Sequence, residues 1–189
     1  MRYFRRRGDD HFNGSISDVR RIGSDIGSAL RYIHERDIIH NDFNTANVLY
    51  SRASGAVLID FGLSFYDGHP TRNGGSPGYL PPEFVSDWRS RGPPSDMWGF
   101  GVLLAWLLGC IPLPERAANW WIADIHPSSA KPSDAIKRMM EWLERIENAR
   151  ARLQQGGALH DIVRDALEPE MKKRIDAATL EQRLRKIRL

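Results

Sequence analysis

Cysteine is almost missing from this chain: Cys110 stands alone among 189 residues. An internal disulfide is thereby excluded, and the expected setting is a reducing intracellular compartment, cytoplasmic or nuclear, with Cys110 read as a small buried apolar residue. A membrane-length apolar stretch is missing too. The run from Met97 to Leu113 is uncharged for seventeen residues, but it holds three Gly and a Pro and is bounded by Asp96 and Glu115. A spanning helix needs ~20 apolar residues, so the run reads as core and no membrane span is expected. No secretory leader is expected either, because Met1 is followed by Arg2, Arg5, Arg6 and Arg7 without an apolar stretch behind them. Repeats, linkers and low-complexity segments are absent. Neither sign of charge dominates, with 27 basic and 24 acidic residues giving a net +3. The basic residues gather at the two ends, the second cluster being Lys172, Lys173, Arg174, Arg183, Arg185, Lys186 and Arg188. No aromatics interleave with them and no RNA motif accompanies them. They read as solvated termini, and no specific nucleic-acid partner is expected.

What is present suits one soluble core: 41% hydrophobic and 27% charged residues in a length typical of a single domain. Val19, Ile22, Ile26, Ala29, Leu30 and Ile33 recur at helical spacing, with Ser15 or Ser17 as N-cap. Pro132-Ser133-Asp134 opens another helix with Ile136, Met139, Met140, Leu143 and Ile146 on one stripe, ending by Gln154-Gln155-Gly156-Gly157. Leu159, Ile162, Val163, Ala166 and Leu167 mark a helix stopped by Pro169, and Leu180, Leu184 and Ile187 a last one. Pro112 and Pro114 close the Met97–Leu113 run, and Trp120-Trp121 is expected to anchor a loop against the core. Between the first helix and that run the pattern changes to strands: Ile38-Ile39, Asn47 to Tyr50, and Ala56 to Ile59, with turn residues Ser51 to Gly55 between the last two.

Chemistry-bearing residues fall at the ends of these strands. His40-Asn41-Asp42 is followed five residues later by Asn47, and Asp60-Phe61-Gly62 follows the third strand. Taken singly, Asp42 and Asp60 also fit ordinary turn aspartates. Together with Gly75-Ser76-Pro77-Gly78-Tyr79-Leu80-Pro81-Pro82-Glu83, Asp96-Met97-Trp98-Gly99-Phe100-Gly101 and Glu170 to Ala177, the chain resembles the eukaryotic-type protein kinase family, most closely its serine/threonine branch. These motifs cover residues 17–185.

The resemblance implies ATP and Mg2+ as cofactors and a protein as substrate. It makes Asp42 the catalytic base or hydroxyl-orienting group and Asn47 and Asp60 the magnesium ligands, a hard-oxygen set that suits this ion. Leu49 corresponds to the residue beneath the adenine ring, and His40 and Phe61, beside Gly62, belong to a stack that aligns the site. Asp96 ties the catalytic loop to a helix buried through the middle of the lobe, and Glu83 pairs with Arg174. Ser76 and Tyr79 fall in the segment that docks substrate, and Thr71 is the expected phosphorylation position.

The departures are specific. Asn41 stands where many kinases have an Arg that reads a phosphorylated loop, and Asn44 stands where serine/threonine kinases have a Lys on the γ-phosphate. Gly99 replaces a Ser. No G-x-G-x-x-G and no Val-Ala-x-Lys precedes His40. The expected fold is therefore mainly α (α+β): the large lobe of a kinase, with short β-hairpins carrying the catalytic loop and the Asp60-Phe61-Gly62 segment, and without the small lobe. Residues 1–189 form one partial kinase domain, with 1–14 a basic segment near the hinge. A separate small lobe or partner protein would complete it, and apolar surface near Leu49 and Phe61 is expected to favour association. Two other readings stand beside the kinase one. The first is a kinase-derived binding module without catalysis. The second is a small-molecule phosphotransferase of the aminoglycoside or choline kinase type, against which the Pro81-Pro82-Glu83 and Asp96-Met97-Trp98 segments argue.

Overall fold

The structure, a computed structural model, describes residues 2–3, 10–69, 74–125, 129, 132–153 and 156–187. Thr71, Arg5, Arg6, Arg7, Gln154, Gln155 and Arg188 lie outside them. The chain runs β1 (Arg2–Tyr3), α1 (Ile16–His34), β2 (Ile38–Ile39), β3 (Val48–Ser51), β4 (Gly55–Leu58), β5 (Phe65–Tyr66), α2 (Glu83–Ser86), α3 (Pro93–Leu107), α4 (Pro114–Ala117), α5 (Ile122–Ile125), α6 (Pro132–Arg152), α7 (Ala158–Ala166) and α8 (Ala177–Lys186). Two small antiparallel sheets, ordered β1-β3-β4 and β2-β5, sit against this helical body. It is a mainly α lobe whose strands β2 to β5 lie in the segments around His40 and Asp60, with β1 paired to β3.

α1 starts where Ser15 caps it. The Ser15 hydroxyl accepts from Asp18 N–H at 3.2 Å, and Asp18 Oδ2 accepts the Ser15 N–H at 2.7 Å, a reciprocal capping box. Val19, Ile22, Ile26, Leu30 and Ile33 are buried along one stripe, packed on α8 and α3. Asp18 also binds the first hairpin, accepting from Tyr50 Oη at 2.6 Å and from Arg52 Nε and Nη2 at 3.0 and 2.8 Å. Those Arg52 bonds hold its carboxyl far below the usual carboxylate range, and the Tyr50 hydroxyl is pushed up to about 12, first by burial and then by Asp18.

α3 is buried on every side from Asp96 to Leu107. It does not run to the expected prolines. Gly109, at φ 72°, ends it in a left-handed turn, where its N–H donates to Trp106 O at 2.9 Å and Cys110 N–H to Ala105 O at 2.8 Å. A residue with a Cβ would be strained there. Cys110 is half-buried against the core, and burial pushes its thiol up.

Three further local expectations are corrected. Asn47 closes a 3-10 turn, Thr45–Asn47, rather than opening β3, because Asn44 Oδ1 accepts from both Ala46 and Asn47 N–H. The buried stripe of α6 is Ala135, Met139, Trp142, Ile146 and Ala149, with Met140 exposed. Trp120 is buried, but its neighbour Trp121 is 77% exposed. Among the described residues no helix is long and apolar enough to cross a membrane.

Two outcomes follow for stability. Ser15→Ala removes the cap and should cost about 1 kcal/mol in urea unfolding. Asp18 is depressed in the folded state, so its contribution is complete above its ordinary value of 3.8 and is lost as pH falls through the lower folded value. Glu181, lowered first by the Ser28 hydroxyl and then by Arg31 and Arg185 against the opposing effect of burial, has the same sign. Unfolding free energy should therefore fall with acid below about pH 4, and Asp18→Asn should flatten that fall while lowering stability at neutral pH.

Candidate active site

The site begins with Asp96, the fourth residue of α3 and 2% exposed. Its Oδ2 accepts from His40 N–H at 2.8 Å and its Oδ1 from Asn41 N–H at 2.9 Å. His34, in the last turn of α1, brings Nε2 within 2.9 Å of Oδ2. A carboxylate only accepts, so His34 Nε2 carries the proton. The buried anion thus has three donors and lies near the positive end of a helix. It fixes the backbone on which Asp42 is displayed. Asn41 sits at φ 65° and Asp60 at φ 62°, left-handed conformations that Asn and Asp tolerate better than most residues and that gather at functional sites.

Asp42 is half-buried, and both of its oxygens are engaged. Oδ1 accepts from Ser76 Oγ at 2.9 Å and Oδ2 from Asn47 Nδ2 at 3.1 Å. Asn47 Nδ2 also donates to Asp42 O at 2.7 Å. That commits the Asn47 amide nitrogen, while its Oδ1 accepts no hydrogen bond among the described residues. Ile59 N–H donates to Asn47 O at 2.8 Å, continuing the β3–β4 ladder. Asp60, the next residue, therefore emerges beside Asn47 with an exposed carboxylate whose Oδ1 accepts from Gly62 N–H at 3.2 Å. One carboxylate and one amide oxygen form a hard-oxygen donor set for a cation that keeps waters or phosphate oxygens in its shell. Among the described residues there is no cluster of three or more His, Cys, Asp or Glu.

Asn44 braces this arrangement. Its Nδ2 donates to Ser76 Oγ at 2.9 Å and to Asp42 O at 3.2 Å, while its Oδ1 caps the 3-10 turn. It supplies position without charge. His40 is fully buried and donates from Nε2 to Ile59 O at 3.0 Å, the carbonyl fixing the tautomer. Phe61 stands edge-on to that ring at 5.0 Å and is 43% exposed. Leu49 is half-buried opposite the exposed Val57. Gly62 is exposed at the turn after Asp60.

Farther from Asp42, Arg174 grips Glu83 with two parallel bonds, Nη1 to Oε1 at 2.8 Å and Nη2 to Oε2 at 2.9 Å. The same guanidinium donates to Pro94 O and Glu168 O and lies 5.1 Å from the Trp98 ring centroid. Its side chain has no exposed surface, so the pair is buried and fully bonded. Tyr79 is 4% exposed and donates to Glu115 Oε1 at 3.0 Å. Burial, then the Glu115 charge, drives its hydroxyl well above the usual value. Tyr79 thus braces the segment from inside, while Ser76 reaches Asp42.

His34, Asn44, Phe43, Arg91 and Glu115 were missed as site residues by the sequence. From the sequence Asn44 signals only the loss of a cation. Arg91 donates to Asn41 Oδ1, while Asn41 Nδ2 donates to Leu63 O at 3.0 Å. Burial lowers the Arg91 guanidinium to about 10. Phe43 explains Gly99: a Cβ at residue 99 would lie 2.8 Å from Phe43 Cβ. The sequence pattern carries no signal for Arg91 or His34, whose partners are 50 and 62 residues away.

Comparison with known proteins places these features in context. The model of the family described as "Protein kinase domain" matches residues 4–184. The chain is similar to a probable serine/threonine-protein kinase KIN1 homolog of Encephalitozoon cuniculi, 35% identical over 122 residues, 62% of this chain and 20% of the relative. It is 37% identical to the serine/threonine protein kinase OSK3 of Oryza sativa subsp. indica over 103 residues, 52% of this chain and 20% of the relative. CBL-interacting protein kinase 1 of Oryza sativa subsp. japonica is 29% identical over 175 residues, 89% of this chain and 34% of the relative. The chain spans about a fifth to a third of the length of these curated relatives.

The Phe43–Gly99 contact generates an outcome for stability. Gly99→Ser should lower stability by about 1–3 kcal/mol through overpacking, measured by thermal unfolding. Adding Phe43→Leu, which keeps the Cβ that residue 99 would meet, should recover less than half of that loss.

Proposed function

The chain belongs to the protein kinase domain family, and on that premise we propose that Asp42, Asn47 and Asp60 form the centre of an ATP- and Mg2+-dependent protein serine/threonine kinase. The observation that carries this reading is the Asp42–Asn47 pair, held by hydrogen bonds at 2.7 and 3.1 Å on a loop laddered directly to the strand that ends at Asp60. Two carboxylates and one amide thus lie on adjoining loops.

In this reading Asp42 receives the hydroxyl of a serine or threonine of the substrate protein. Its Oδ1 and Oδ2 are each oriented by one donor and keep lone-pair capacity for a third, so the carboxylate is aimed before substrate arrives. Asn47 Oδ1 and the Asp60 carboxylate would hold the magnesium of Mg·ATP, which supplies charge neutralisation on the transferring phosphoryl group. Leu49 would lie under the adenine, and His40 with Phe61 keeps the two loops in register. Ser76 and Asn44 hold Asp42 from the substrate side.

Asn44 sets the weakness of the site. Where a cation would stabilise developing phosphoryl charge it offers only an amide, and the loss of one such contact costs ~10²–10³ in rate by analogy with one oxyanion donor. Asn41 carries no charge to read a phosphorylated loop. These two residues favour, as the second reading, a kinase-derived module that binds Mg·ATP or a partner without efficient transfer.

Titration calorimetry of the purified chain with Mg·ATP, paired with single-turnover transfer to a generic protein substrate, separates the readings. Binding is expected to be weak and lowered at least about tenfold by Asp60→Ala, one hydrogen-bonded charge being worth at least that. Transfer by residues 1–189 is expected to be negligible. Any measurable rate should fall ~10²-fold or more with Asp42→Ala. Brisk turnover abolished by Asp42→Ala would overturn the expected inactivity. Nucleotide binding indifferent to Asp60 would overturn the enzyme reading.

A further inference from the structure

Where the end of α1 meets the starts of α3 and α8, the surface opens into a cavity of about 270 Å³. Pro93, Pro94, Met97, Ile175, Ala177 and Ala178 give it mostly apolar walls. Hydrogen bonds frame it. Arg174 Nη1 donates to Pro94 O at 2.8 Å, and Ile175 N–H donates to Asp165 O at 3.2 Å. Asp176 caps α8, its Oδ1 accepting from Thr179 N–H at 2.7 Å. Asp42, Asn47 and Asp60 take no part in lining it.

A ring nitrogen opens onto these walls. His34 lines the cavity with a side chain only 9% exposed, and its Nε2 is committed to Asp96 Oδ2 at 2.9 Å. Nε2 carries the proton there, so Nδ1 of the neutral ring carries a lone pair. Nδ1 bonds to none of the described residues, yet it is not sealed inside the protein as His160 Nδ1 is. It therefore faces the cavity that its residue lines. The rim holds charge of both signs, but its cations are spent. Arg31 donates from Nε to Glu35 Oε1 and from Nη1 to Glu181 Oε2, both at 2.7 Å. The Arg174 side chain has no exposed surface and is paired with Glu83. Glu35 and Asp176 add negative charge. An anion would thus meet two carboxylates, and a carboxylate has no donor to offer Nδ1. A cation would leave water for apolar walls at a cost. A hydroxyl donates without charge, and the Met97 thioether suits an aromatic ring beside it.

We propose that this cavity binds a small, uncharged aromatic alcohol whose hydroxyl donates to His34 Nδ1 while its ring is covered by the apolar walls. The site stands independently of the kinase reading, since it uses none of the residues assigned to nucleotide or phosphate. It is nevertheless wired to them. The imidazole that accepts at Nδ1 donates at Nε2 to Asp96, and Asp96 holds the N–H groups of His40 and Asn41. A hydrogen bond accepted on one side of the ring polarises the one donated on the other, so an occupant tightens the hold on the loop before Asp42.

The test is an NMR titration of the isotope-labelled chain at neutral pH with p-cresol, with its methyl ether p-methylanisole and with the anion p-toluate. The three probes share a ring and differ in the donor. p-Cresol should bind about three- to tenfold tighter than p-methylanisole, the worth of one hydrogen bond, and p-toluate should bind more weakly than p-cresol. p-Cresol should also move the His34 Nδ1 resonance, whereas p-methylanisole should leave it in place. Ala178 is an exposed residue of the cavity wall, so Ala178→Phe fills the recess without touching His34 or Asp96. That variant should abolish p-cresol binding at an unchanged melting temperature. Equal affinities for p-cresol and its ether, a stationary Nδ1 resonance, or binding that survives Ala178→Phe overturns the site. Sedimentation showing dimers that Ala178→Phe dissociates would give the cavity to a second copy of the chain and overturn it as well. Should p-cresol bind as expected while Asp60→Ala leaves Mg·ATP binding unaffected, the kinase reading fails and the cavity site stands.

Discussion

A carboxylate withdrawn from water is costly unless its oxygens meet donors, and Asp96 meets that demand with three groups from two other parts of the chain. Two donors are backbone N–H groups of His40 and Asn41, and the third is the imidazole of His34 at the end of α1. Satisfying Asp96 therefore forces the end of α1, the start of α3 and the loop before Asp42 to one point. Asn41 is bent into a left-handed conformation on the way. The loop cannot relax from that conformation without stranding the carboxylate in the core, so the strain at Asn41 is sustained by the penalty at Asp96. Everything that positions Asp42 descends from this exchange.

The residues that depart from the usual kinase strings show geometry and charge separating. Asn44 keeps the positional work of its site, linking Asp42 O, Ser76 Oγ and the 3-10 turn, but carries no cation. Asn41 likewise stays in its loop through Leu63 O, and the nearest guanidinium comes from Arg91. Arg91, lowered to about 10 by burial, donates to the neutral amide of Asn41 and lies 4.7 Å from the Phe84 ring centroid. Gly99 and Phe43 are a steric pair in which the Cβ of residue 43 leaves no room for a Cβ at residue 99. A sequence altered in this way keeps the hydrogen-bonded shape of the loop while placing neutral amides at residues 41 and 44.

How much of this was legible in the sequence depended on distance along the chain. The stripe of α1, its Ser15 cap and the burial of α3 follow from local spacing, and the structure reproduces them. The end of α3 was misplaced because prolines are conspicuous and Gly109 is not, although a left-handed glycine terminates a helix as firmly. In α6 the buried stripe falls one residue from the expected one, at Ala135 and Trp142 instead of Ile136 and Leu143, since apolar residues surround that position on both sides. Asp42, Asn47 and Asp60 were visible as types at a spacing. What held them was not visible: the bonds from His34, Arg91, Ser76 and Glu115 join residues 32 to 70 positions apart, and no periodicity encodes such partners.

The helical body and the loops divide the work in a way that explains why so many polar groups are buried here. Residues 40–47, 59–64 and 74–82 have little regular structure, so their N–H and C=O groups cannot satisfy one another as a ladder would. Residues 40–47 and 74–82 borrow partners from helices, while Ile59 and Leu63 bond to the loop of residues 40–47. Asp96 of α3 takes the N–H groups of His40 and Asn41, Glu115 of α4 takes the N–H of Thr45 and the hydroxyl of Tyr79, and Trp142 of α6 donates to Gly78 O. Arg174 ties Glu83 of α2 to Pro94 O at the start of α3. Apolar replacements at these positions would often be as stable or more so, but dispersion has no preferred direction. Hydrogen bonds do. A site that must hold carboxylates in place on irregular backbone needs directional contacts, and the helices are where this chain keeps them.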